Sequence, residues 1–159
     1  MSKPRKKYRP KPVKTCTLQL AMQGCALLSK EDQEAKAAPV REAVAFISQG
    51  KGAKEHWSTI FDAVNMLEQF DQMPQVMTGA RDYIESMQTV IVWILDRAKE
   101  GKRALYPSEL EDLRGFVDLW ADVLSTVTHR DYYVCETKTH QRLVQVMRTG
   151  KGVKVLEAA

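Results

Sequence analysis

The stretch HWSTIFDAVNMLEQF, residues 56–70, decides the fold of this chain. Its large apolar residues recur about once per helical turn, the spacing that places side chains on one face of an α-helix. They are Trp57, Ile60, Phe61, Val64, Leu67 and Phe70. This stripe predicts an amphipathic helix over about 53–71 that buries one face against neighbouring helices.

The same periodicity predicts helices on both sides of this stretch. A helix over about 30–49 begins at a capping box, Ser29 to Asp32, and we expect Pro39 to kink or split it. A third helix begins at Pro74 and ends near Lys99. Residues 90–95 are apolar nearly all round, so this helix is expected to be the central one.

Two further helices complete the predicted bundle. The sequence YPSELEDL, residues 106–113, predicts a fourth helix with Ser108 as its N-cap, and a fifth covers about 131–148. Gly50 and Gly150 suit the left-handed conformation that ends helices. The fold class is therefore all-α: a compact bundle of four to five helices, in a single helical domain over 15–159. The three tryptophans occupy predicted core positions: Trp57, Trp93 and Trp120.

A strongly basic segment, SKPRKKYRPKPVK at residues 2–14, precedes this domain. It contains seven basic residues, three prolines and no acidic residue, and the rest of the chain carries 17 basic and 20 acidic residues. Such a segment has too few apolar groups to bury, and its prolines favour extended backbone. Residues 1–14 are therefore predicted to form a disordered tail.

The tail is the first of two predicted contact sites for an anionic partner. Its cations can pair with phosphates or carboxylates, and Tyr8 can stack on a base. The tail residues in this site are Arg5, Lys6, Lys7, Tyr8, Arg9, Lys11 and Lys14. A weaker basic cluster closes the chain: Lys138, Arg142, Arg148, Lys151 and Lys154. The two clusters form one positive surface only if the two ends meet in the fold, and a purely solubilising tail is the alternative.

Several short stretches resemble catalytic motifs, but their residues do not have the spacing that those motifs require. The HRD triplet at residues 129–131 has Glu136 where a kinase loop requires Asn, and TGKG at 149–152 lacks the spacing of a phosphate loop. Cys135 and His140 lie five residues apart and so point in different directions on a helix. No cysteine or histidine pair has metal-ligand spacing. We therefore predict no catalytic residue, no metal and no cofactor.

The three cysteines and the lengths of the apolar runs indicate the cellular compartment of the protein. An odd cysteine number without a framework spacing favours a reducing compartment. The longest apolar run, residues 90–95, is too short to span a bilayer. Gln19 and Gln23 interrupt the only segment that resembles a signal peptide. We expect a soluble protein in the cytoplasm of a bacterial host.

The two ends of the chain carry a resemblance. The segments RKKYRPKPV at 5–13 and RTGKGV at 148–153, with the helix at 56–70, resemble small uncharacterised proteins of phages, prophages and plasmids of proteobacteria. The resemblance implies a mobile-element origin and supplies no catalytic residues. By analogy with anti-CRISPR proteins, it implies a non-enzymatic protein that inhibits a host defence complex by protein–protein contact. The alternative is an accessory protein that binds nucleic acid through the tail, independently of sequence.

Overall fold

The computed structural model describes residue 22 and residues 24–150. Five helices follow one another in this part of the chain and confirm the all-α bundle. They are α1 (Lys30–Ser48), α2 (Lys54–Asp71), α3 (Arg81–Lys99), α4 (Pro107–Thr126) and α5 (His129–Thr149). The basic tail and the segment after Gly150 lie outside the described residues.

Helix α2 is the centre of the bundle. It packs against α1, α3 and α5, and α1 in turn packs against α4. Its buried side chains extend about two thirds of the way round the helix axis. They are Trp57, Ile60, Ala63, Val64, Met66, Leu67, Gln69 and Phe70. The stripe at residues 56–70 is thus the part of the sequence around which the other helices assemble.

The expectation that the third helix is central is wrong. Helix α3 lies at the edge of the bundle and buries one face, which carries Ile84, Met87, Ile91, Ile94 and Leu95. Trp93 points away from that face and is 65% exposed, so its predicted core position is also wrong. A run that is apolar on all sides does not show how many neighbours a helix will have.

Pro39 does not divide the first helix, because α1 is continuous through it. The proline removes the N–H group that would pair with the carbonyl of Ala35. Both residues lie on the exposed side of α1, where water can solvate that carbonyl. The predicted start of α1 is confirmed, since Ser29 Oγ accepts a hydrogen bond from the Asp32 amide at 3.0 Å.

The starts of α3, α4 and α5 differ from the prediction, and α5 begins at His129 rather than near residue 131. Residues 74–80 form turns, and α3 begins only at Arg81, after Gly79 with a φ of +78°. The side chain of Asp71 fixes this turn, because its Oδ1 accepts from the Ala80 amide at 2.9 Å. Helix α4 begins at Pro107, one residue before the predicted cap Ser108.

The start of α4 depends on a carboxylate in its own first turn, that of Glu109. Glu109 accepts the Tyr106 amide at 2.8 Å and pairs with Arg97 of α3, with Arg97 Nη1 2.6 Å from Glu109 Oε1. The guanidinium also lies 4.2 Å from the ring centroid of Tyr106. Its hydrogen bonds hold the pKa of Glu109 below its ordinary value. This buried cluster joins α3 to α4.

Candidate anionic-partner interface

The described residues contain three members of the predicted contact sites, and all three lie on α5: Lys138, Arg142 and Arg148. The remaining members lie outside the described residues: Arg5, Lys6, Lys7, Tyr8, Arg9, Lys11, Lys14, Lys151 and Lys154. Helix α5 therefore carries every described member of the predicted contact sites.

Helix α5 starts where two segments of backbone meet. The Leu28 amide donates to the Val127 carbonyl at 3.0 Å, and the His129 amide donates to the Ala26 carbonyl at 3.0 Å. Thr128 then caps the helix, with its Oγ1 accepting from the Asp131 amide at 3.1 Å. The HRD triplet is accordingly the first turn of α5.

One face of α5 packs onto the bundle. It carries Tyr132, Cys135, Thr139, Leu143 and Val146, of which Cys135 is buried and the others are half-buried. The ring of Tyr132 lies 3.8 Å beneath Lys36 Nζ and beside Phe70. Burial raises the pKa of Tyr132 to about 12, so its phenol stays protonated at neutral pH. We call these five residues the inner seam.

A neighbouring face of α5, about 120° round the helix from the inner seam, carries a second regular set of side chains, which we call the outer seam. It consists of Tyr133, Thr137, His140, Val144 and Met147. Tyr133 and Met147 are 68% and 75% exposed, whereas Thr137 and Val144 are half-buried. Among the described helices, α2 is the one against which α5 packs extensively, and it contacts the inner seam. The outer seam thus presents large apolar groups to solvent.

Basic residues border the outer seam. Arg130 and Arg148 are 18 positions apart, about five helical turns, and therefore lie on the same side of α5. Lys138 lies about 140° round the helix from the centre of the outer seam and does not border it. All three are exposed, and none forms an ion pair with another residue in the described range. They remain available to an anionic partner.

Arg142 is used inside the fold instead. Its Nη1 lies 2.8 Å from Glu68 Oε2 of α2, and both side chains are about two-thirds covered. This ion pair attaches the middle of α5 to α2. The structure therefore separates Arg142 from Lys138 and Arg148, with which the sequence grouped it.

A cleft of about 500 Å³ lies beside this ion pair, between α2, α3 and α5. Three carboxylates and two guanidinium groups line it: Glu68, Asp71, Glu85, Arg81 and Arg142. Arg81 pairs with Glu85 at 2.9 Å, and that hydrogen bond raises the pKa of Arg81 above its ordinary value. Because carboxylates are in excess, this cleft disfavours an anion.

Cys135 has the environment of a packing residue. It is fully buried, its Sγ lies 3.6 Å from Met73 Sδ, and burial raises its pKa to about 11. The thiol is therefore protonated at neutral pH and is a poor nucleophile. His140 is exposed on the outer seam.

No group of three His, Cys, Asp or Glu residues within the described range is placed to hold a metal ion. No helix in the same range has the length and apolarity needed to cross a membrane.

The chain matches no protein-family model, no curated protein and no solved structure. The resemblance to proteins of mobile elements therefore stays a prediction. The outer seam was missed in the sequence, although its residues repeat at intervals of four and three. That spacing of four and three is the signal in the sequence that identifies the outer seam.

Proposed function

We propose that this chain is a non-enzymatic binding protein of a phage or other mobile element that inhibits a host defence complex by protein–protein contact. The observation that carries the binding role is the outer seam of α5, where Tyr133 and Met147 are largely exposed beside Arg130 and Arg148. Tyrosine, methionine and arginine are enriched at protein interfaces. The mobile-element origin rests on the resemblance of the two chain ends.

A bacterial host tests this proposal in two ways. A phage-challenge assay with and without the protein, across several defence systems, measures whether protection is lost. Affinity capture from the host lysate, with and without nuclease, measures whether a protein partner is held independently of nucleic acid. We expect loss of protection in at least one system and a captured host protein that survives nuclease. Unchanged protection in every system, with no captured protein, would contradict the proposal.

The second candidate is a nucleic-acid-binding accessory protein. The exposure of Arg130, Lys138 and Arg148 favours it, because such cations attract phosphates. Gel shifts on single- and double-stranded DNA and on RNA, repeated at several salt concentrations, test this candidate. We expect deletion of residues 1–14 to weaken binding and to reduce its salt dependence. Unchanged affinity and salt dependence would exclude the tail as the contact.

A further inference from the structure

The outer seam of α5 has the spacing of a coiled-coil seam. Its residues are separated by four, three, four and three positions, which is the a/d pattern of a heptad repeat. The pattern extends from Tyr133 to Met147, about 21 Å along the helix at 1.5 Å per residue. The inner seam already packs on α2, so packing within the described bundle does not account for this second seam.

The charges beside the outer seam select among the possible occupants. Two cations border it, Arg130 and Arg148, and Glu136 is the carboxylate on its other side. Two copies of α5 would therefore bring an excess of positive charge to one interface. A helix with carboxylates beside its apolar residues would neutralise that excess and cover the seam.

We propose that the outer seam binds an acidic amphipathic helix of a partner protein. The apolar residues of that helix would pack between Tyr133, Val144 and Met147, over about four turns. Its carboxylates would lie opposite Arg130 and Arg148 and would determine its orientation more than its affinity. This inference rests on the proposed function and names the surface and the kind of partner.

A pair of synthetic helices tests the inference with the full chain. The first is a peptide of about 18 residues, long enough to cover the seam, with leucine at a and d positions and glutamate at e and g positions. The second has lysine in place of glutamate. Fluorescence anisotropy measures the binding of each. We expect the glutamate peptide to bind at least about tenfold more tightly, because the cations repel the lysine peptide.

Variants of exposed residues locate the contact. The double variant Y133E/M147E should weaken binding of the glutamate peptide by about tenfold or more, because it places charge in the seam. The matched control is W93E on α3, since Trp93 is exposed to a similar extent, 65%. We expect W93E to leave peptide binding unchanged. Circular dichroism and thermal unfolding confirm that both variants stay folded.

Five outcomes would overturn the inference. Equal binding of the two peptides would show that the surface has no preference for an acidic helix. A loss of peptide binding in W93E equal to that in Y133E/M147E would show that the outer seam is not the contact. Binding that requires deletion of residues 1–21 would assign the seam to the chain's own N-terminal segment. Self-association that M147E abolishes, measured by sedimentation velocity, would assign it to a second copy. A host protein captured equally by the wild-type chain and by Y133E/M147E would sustain the proposed function and reject this surface.

Discussion

Helices α2 and α5 are both amphipathic in sequence, but the fold uses them differently. Helix α2 buries eight residues, whereas α5, which is longer, buries Cys135 alone. The apolar residues of α2 form the core, whereas three of the eight on α5 lie on the outer seam: Tyr133, Val144 and Met147. The comparison shows that an apolar stripe can stabilise the core in one helix and stay exposed, free to bind a partner, in another.

The two helices should differ most in how much the truncation of one apolar side chain lowers the free energy of unfolding. Leu67 of α2 is completely buried, so L67A should lower the free energy of unfolding by about 2–5 kcal/mol. The matched change on the outer seam is M147A, which should alter it by no more than about 0.5 kcal/mol because Met147 is 75% exposed. Urea unfolding of both variants measures the difference, and a similar loss in M147A would show that the outer seam is part of the core.

Alkaline pH should destabilise the fold through two buried groups of α5, Tyr132 and Cys135. Burial raises the pKa of Cys135 from 9.0 to about 11 and that of Tyr132 from 10.0 to about 12. The unfolded chain loses these protons first, so the free energy of unfolding should fall as pH rises from about 9 to about 12. Unfolding measured across this range checks the sign. The variant Y132F, which keeps the ring over which Lys36 lies, should reduce the slope. An unchanged slope in Y132F would show that titration of the Tyr132 phenol does not cause the fall in stability.

The ion pair between α5 and α2 should contribute less to the free energy of unfolding than the buried apolar side chains do. Arg142 and Glu68 are both partly exposed, so R142M should cost no more than about 1 kcal/mol. The control R148M removes an exposed cation from the same helix and should leave thermal unfolding unchanged. A loss in R148M as large as that in R142M would mean that Arg148 also stabilises the fold.

The helix positions were predictable from sequence where the apolar spacing was strong. The stripe from Trp57 to Phe70 predicted 53–71, and α2 occupies 54–71. The start of α3 was not predictable from Pro74, because the Asp71 side chain and Gly79 build a turn that only the folded chain reveals. Trp93 was misplaced because periodicity does not show which helix lies at the edge of a bundle.

The candidate site was predictable only in part. The charges of Lys138 and Arg148 were visible in the sequence, but the partner of Arg142 was not, since Glu68 lies 74 residues away in the chain. The Arg97–Glu109 cluster was missed for the same reason, because it depends on how α3 meets α4.

Native-state hydrogen exchange tests the central claim that α2 holds the fold while α5 is attached along one face. Amides of α2 between 60 and 70 should exchange only through global unfolding, because α2 buries eight side chains in the core. Amides of α5 between 140 and 149 should exchange at least about a hundredfold faster, through local opening. Exchange in α5 as slow as in α2 would contradict the account, because it would place α5 within the same cooperative core.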